Sequence, residues 1–200
     1  MVDRHPQPQQ TLPAIAELFS RNQVIKKYAE GRTRAAVAMI LRELPGDLEI
    51  LFIERASDER DPWSGHLAFP GGKVELGEQS RQAAERETQE EIGIDLGAEC
   101  YLGRMSDIIG ANLPVRVSCF AYGVVTSSVQ PIVSREVRDV FWVKLSDILM
   151  PERHQTAMVG FSGATMKVPA IVMPQPNKPV LWGLTYRLLM QFLEIIQVRK

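Results

Sequence analysis

The sequence predicts an α/β protein built around a mixed β-sheet. Three observations carry that expectation. β-rich runs stand on both sides of a helical segment, a glycine pair leads into that segment, and an amphipathic helix closes the chain. With 200 residues, 45% of them apolar, the chain can bury one substantial core without disulfides or structural metals.

The elements follow in order. After the polar start MVDRHPQPQQ, LPAIAELFS predicts a short helix, so residues 1–30 read as an N-terminal extension and 31–200 as the domain proper. RAAVAMILRE and LEILFIER are apolar and β-prone, and LPGD between them is a turn, which predicts a hairpin. ASDERDPWSGHLAFPGG is a long polar loop ending in Gly71 and Gly72, of a length that usually serves function. From Gln79 to Ile92 the pattern is helical, with Gly93 as its stop and Ala84, Thr88 and Ile92 as a slender packing stripe. VRVSCFAYGVV, VRDVFWVKL and MKVPAIVM are further strand candidates, with LSDILM a short helix after the second. In LWGLTYRLLMQFLEIIQV, Leu181, Leu184, Leu188, Leu189, Phe192, Ile195 and Ile196 recur at helical intervals, as a core-packing helix requires.

Charge and composition exclude several functions. With 23 basic and 24 acidic residues the net charge is −1, so no overall field recruits nucleic acid or an anionic membrane. No apolar run is long enough to span a bilayer, and the N-terminus lacks the apolar core of a signal peptide, so a cytoplasmic protein is expected. Cys100 and Cys119 form neither a disulfide framework nor a zinc motif and read as small buried hydrophobes. A homodimer is compatible with the sequence and not required by it.

The stretch RETQEEIGI places Glu87, Glu90 and Glu91 on one side of a helix, where like charges at i, i+3 and i+4 destabilise it. Solvation is the simple account. Binding of a hard cation is the chemical one, because Mg²⁺ takes a few carboxylate oxygens and leaves its other positions to water and phosphate.

Residues 69–94, FPGGKVELGEQSRQAAERETQEEIGI, decide between them. They resemble the Nudix hydrolase signature G-x5-E-x7-R-E-U-x-E-E-x-G-U, with U apolar, through Gly72, Glu78, Arg86, Glu87, Glu90, Glu91, Gly93 and Ile94. Thr88 departs, standing where an apolar residue is usual. At residue frequencies of about 5–7%, seven identities arise by chance roughly once in 10⁸ starting positions. The resemblance implies a Nudix-type α/β/α sandwich and cleavage of a nucleoside diphosphate linked to another moiety. It also implies Mg²⁺ or Mn²⁺ held by Glu87, Glu90, Glu91 and the Gly71 carbonyl, with Arg86 orienting Glu87 through a charge-assisted hydrogen bond. Glu78 would support the loop. Glu136, in SREVRDV, is the candidate general base outside the signature, with Glu90 or Glu91 as alternatives.

Upstream, LFIERASDERDPWSGHLAFPGG resembles the additional motif of Nudix coenzyme A diphosphatases, roughly L-L-T-x-x-R-S-x3-R-x3-G-x3-F-P-G-G. Gly65, Phe69, Pro70, Gly71 and Gly72 match; Ala56 replaces the usual Ser, and Arg60 lies four rather than three residues before Gly65. By this resemblance Arg55, Arg60 and Gly65 bind substrate, the arginines gripping phosphates as planar forks, and the products are 3′,5′-ADP and 4′-phosphopantetheine. Trp63 and His66, in the same loop, read as packing and local hydrogen bonding, although Trp63 could stack on an adenine. The alternatives are the same reaction on a nucleoside triphosphate, ADP-ribose or a nucleotide sugar, and a nucleotide-sensing module without turnover, which the intact carboxylates disfavour. The expected partner is thus a small nucleotide derivative and not nucleic acid.

Overall fold

A computed structural model describes residues 11–27, 31–58, 63–110, 114–124, 131–161 and 163–196. The elements run α1 (Leu12–Arg21), β1 (Thr33–Leu44), β2 (Asp47–Arg55), β3 (Leu67–Ala68), β4 (Gly71–Lys73), α2 (Ser80–Ile92), β5 (Cys100–Arg104) and β6 (Ile108–Ile109). They continue with β7 (Val115–Val124), β8 (Val137–Lys144), α3 (Leu145–Ile148), β9 (His154–Phe161), β10 (Ala164–Ile171) and α4 (Gly183–Ile195).

The sheet is mixed, as the sequence predicts. β1 runs parallel to β7, and every other pairing is antiparallel: β1 with β2 and β4, β2 with β3 and β8, β7 with β5 and β6. Both faces of the central strands are buried, which is why those strands read as nearly continuous apolar runs. Ala36, Ala38 and Ile40 of β1, with Phe120 and Tyr122 of β7, face Ala83, Ala84 and Ile92 of α2. The alternate residues Met39 and Leu41, with Val117 and Cys119, face Ile15 and Phe19 of α1 and Leu188, Leu189, Phe192 and Leu193 of α4. Period-2 alternation in one strand therefore serves two cores, and the architecture is an α/β/α sandwich.

Thr88 sits in the α2 packing stripe with no exposed surface, and its hydroxyl donates to the Ala84 carbonyl at 2.7 Å. The hydroxyl is satisfied inside the helix, so only the methyl meets the sheet, and the departure from the signature costs little.

The hairpin expected at LPGD is present, but β1 and β2 stay paired only from Leu41↔Ile50 to Leu44↔Asp47. Beyond that the strands separate. β4 fills the gap along β1 (Ala35↔Lys73 to Val37↔Gly71) and β3 fills it along β2 (Ile53↔Ala68, Glu54↔Leu67). The end of the glycine loop is thereby drawn into the sheet, although its own residues predict a loop.

Three further expectations need correction. Cys119 is buried, but Cys100 is exposed, because it begins an outer strand whose first residues project beyond the core. Leu181 is not helical: its N–H and carbonyl exchange hydrogen bonds with Ile171 at 2.9 Å each, and α4 begins only at Gly183. HQTAMVGF, not read as a strand, forms β9, which pairs with β10 in a separate two-stranded ribbon whose register, not its local pattern, makes it a strand.

Helix α1, within the segment read as an extension, seats Phe19 against the backbone of Gly103, where a Cβ would overlap the ring. Gly103→Ala should therefore destabilise the protein by about 1–3 kcal/mol, the usual cost of overpacking, measured by urea unfolding.

Candidate functional site

The site lies where α2 crosses β4. In the antiparallel β1–β4 ladder, Ala38 N–H donates to the Pro70 carbonyl and Val74 N–H to the Arg34 carbonyl, at 2.8 and 2.9 Å. Ladder bonds use alternate residues, so Gly71 and Lys73 turn their peptide groups away from β1, toward α2. Gly71 N–H donates to Glu91 Oε2 at 2.9 Å, and the Lys73 carbonyl accepts from Arg86 Nη2 at 3.2 Å.

The two glycines matter for different reasons: Gly71 is required by the backbone, and Gly72 leaves room for the Glu87 head group. Gly71 has φ of 144°, and a Cβ there would collide with the Ala36 carbonyl; a Cβ on Gly72 would collide with the Glu87 carboxylate. The Glu87 head group is thus seated directly on the Gly72 backbone.

Arg86 organises the acidic flank. Its Nε and Nη2 donate to the two oxygens of Glu78 at 3.0 and 3.2 Å, and Nη1 donates to Glu87 Oε1 at 3.0 Å and Glu90 Oε2 at 3.1 Å. The bond expected between Arg86 and Glu87 is present, and Glu78 holds the loop by accepting from Glu75 N–H at 3.0 Å. Hydrogen bonding to Arg86 holds the Glu78 carboxyl below its ordinary range.

Glu91 is 3% exposed, and burial pushes its carboxyl up to about 7, against the opposing pull of the Gly71 N–H and of Arg55, whose Nη1 lies 3.7 Å from Glu91 Oε1. Burial also raises Glu87. The charge of Glu136 pushes both upward. Glu136 arrives by backbone pairing: its carbonyl accepts from Ala56 N–H at 2.8 Å, and Ser134 N–H caps the Glu91 carbonyl at 2.9 Å. The structure thus gathers Arg55, Arg86, Glu87, Glu90, Glu91, Glu136 and Gly71. Gly65 lies in the turn before His66, whose carbonyl accepts from Arg55 N–H at 3.0 Å; Arg60 lies outside the described residues.

The residues fit a divalent cation in their chemistry. Glu91 and Glu87 are desolvated carboxylates, Glu91 pushed further upward by the charges of Glu87 and Glu136 and Glu87 by those of Glu90 and Glu136, so an added positive charge relieves both burial and repulsion. Among the described residues no group of three or more His, Cys, Asp or Glu is arranged so that it could hold a metal ion.

Sequence reasoning missed the contacts made by tertiary approach. Lys178, far along the chain, donates to Glu54 at 2.7 Å and to Asp139 at 2.5 Å, and His66 stands 4.9 Å from the Trp182 ring and 6.2 Å from that of Phe161. No spacing signal links those positions.

A family model described as the NUDIX domain matches residues 32–162. The chain belongs to the Nudix family. Nudix enzymes generally use divalent metals. Among similar proteins, a probable nudix hydrolase of Schizosaccharomyces pombe is 28% identical over 163 residues, 81% of this chain and 55% of that protein. An 8-oxo-dGTP diphosphatase of Haemophilus influenzae is 36% identical over 87 residues, 43% of this chain and 60% of its own length. An uncharacterized S. pombe protein is 34% identical over 59% of this chain and 38% of its own. The matched segments thus span 38% to 60% of these relatives. A MutT/nudix family protein from Enterococcus faecalis superposes with TM-score 0.61 at 15% identity, over 96% of this chain and 71% of that one. The NUDIX domain of Shewanella oneidensis NrtR, complexed with ADP ribose, does so with TM-score 0.51 at 17% identity, over 82% and 88%. These likenesses show the Nudix fold. Among the described residues no helix is long and apolar enough to cross a membrane.

Gly72→Ala should displace Glu87 and cut turnover by at least about ten-fold while the fold persists, since a small misplacement at a reacting centre costs rate steeply. Steady-state kinetics with circular dichroism checks this.

Proposed function

We propose that this protein hydrolyses the pyrophosphate bond of a nucleoside diphosphate linked to another moiety, with Mg²⁺ or Mn²⁺ as cofactor. The observation that carries the reading is the seating of Glu87 and Glu91 on the Gly71–Gly72 bend, with Arg86 bonded to Glu87 and Glu90 on one side and Arg55 beside Glu91 on the other.

Glu87, Glu90, Glu91 and the Gly71 carbonyl would hold the cation. When bound, it supplies Lewis acidity that neutralises phosphate charge and makes water a better nucleophile. Arg86 holds Glu87 and Glu90 in place by charge-assisted hydrogen bonds. Glu136 is exposed at the rim and accepts the proton of the attacking water. Arg55 and Arg60 grip substrate phosphates, and Gly65 lets the loop turn toward them.

For the substrate we propose coenzyme A or a derivative, cleaved to 3′,5′-ADP and 4′-phosphopantetheine. The support is the run from Arg55 to Gly72 and the placement of Arg55 beside Glu91. The second reading, a nucleoside triphosphate, is favoured by the likeness to the H. influenzae 8-oxo-dGTP diphosphatase.

A screen of coenzyme A, 8-oxo-dGTP, ADP-ribose and nucleotide sugars with Mg²⁺ or Mn²⁺, with products identified by mass, should release 3′,5′-ADP. Hydrolysis of 8-oxo-dGTP alone would favour the second reading, and no hydrolysis of any of them would defeat both. Glu91→Gln should lower turnover by about 10²-fold or more. Arg60→Ala should raise KM for coenzyme A more than for dephospho-coenzyme A; equal effects would remove Arg60 from recognition of the 3′-phosphate.

A further inference from the structure

Helix α2 rests on the sheet through small side chains along its middle and through Ile92 at its end. Ala83, Ala84 and Thr88 are buried on its inner side, and across from them stand Ala36 and Ala38 of β1. Around Thr88 the contact between such small groups sets the height of the helix over the sheet and leaves its rotation to Ile92 at the helix end and to polar contacts on its flanks. Rotation matters here, because Glu87 and Glu91 reach Gly72 and Gly71 from one flank of that stripe.

The other flank carries a second polar assembly that the signature does not include. At 3.6 residues per turn, Glu85 lies about 120° around the helix from Glu91, across the line of Thr88. There the hydroxyl of Tyr122, on β7, donates to Glu85 Oε1 at 2.8 Å. Arg81 Nε donates to the same carboxylate oxygen at 2.9 Å and to the Tyr122 oxygen at 3.2 Å, while its guanidinium lies 4.0 Å over the ring of Tyr101 on β5. Tyr122 has no exposed surface, so its phenol is committed to this arrangement. Two strands of the sheet are thereby tied to the side of α2 facing away from the acidic site.

We propose that Tyr122, acting through Glu85 and Arg81, is a positioning residue that fixes the rotation of α2 and so aims Glu87 and Glu91 at the divalent cation. The inference rests on the metal-dependent reading of the site given above.

The test is Mn²⁺ binding to the whole protein, followed by the electron paramagnetic resonance of free Mn²⁺ well below the melting temperature of each variant. Tyr122→Phe keeps the ring and removes only the hydroxyl. It should weaken Mn²⁺ binding by about three-fold or more, less than the ten-fold or more typical of a partner that bonds a metal ligand directly. Glu85→Gln keeps an acceptor for Tyr122 and should bind within about two-fold of the parent, whereas Glu85→Leu should match Tyr122→Phe. The double variant Tyr122→Phe/Glu85→Leu should be no weaker than either single change, because both break one latch. If Tyr122→Phe and Glu85→Leu bind Mn²⁺ as the parent does, with only a lower melting temperature, the assembly is packing and the proposal is overturned. A parent protein that binds no Mn²⁺ overturns the metal-dependent reading itself, and this inference with it.

Discussion

Three carboxylates crowded into a turn and a half of one helix repel one another, and the structure around α2 is arranged to bear that repulsion. Like-charge pairs at these spacings cost a few tenths of a kcal/mol on an exposed helix, and more where water is excluded. Here Glu91 is buried and Glu87 is seated against a backbone, so screening by solvent is weak. Arg86 offsets part of the charge by touching Glu78, Glu87, Glu90 and a strand carbonyl at once, and the Gly71 N–H and Arg55 offset part of it at Glu91. The remaining excess of negative charge would favour a cation beside the helix, as the proposed function requires.

The sheet supplies the geometry that this electrostatics needs. Because β1 and β2 separate after a short pairing, β4 can add to β1 and turn alternate peptide groups toward the helix. Only glycine allows the approach at position 71, because of the Ala36 carbonyl, and glycine at position 72 lets the Glu87 head group sit directly on the backbone. The small residues of β1 and α2 bring helix and sheet close, and Tyr122 and Arg86 bind the helix on either side. Chemistry, backbone conformation and packing thus converge on one crossing point.

The local pattern made much of this legible. Period-2 alternation, turn residues and the helical run from Gln79 disclosed the hairpin, the later strands and α2, because each depends on neighbours close in sequence. The carboxylates were legible for a related reason: a helix places i, i+3 and i+4 on one face whatever the rest of the chain does. What misled was position in the sheet. Cys100 looked like any small apolar residue, yet an outer strand leaves it exposed, and β9 has a pattern that becomes a strand only by pairing with β10.

The sequence by itself determined that this is an α/β protein with an acidic helix following a glycine bend, since those features are written in short-range spacing. Only the tertiary structure decided how far β1 and β2 stay paired, which peptide groups face α2, and that Tyr122 and Arg55 from strands and Glu136 from the turn before β8 come to the helix. Such contacts depend on register and on burial against remote elements, and neither quantity is carried by any local stretch of residues.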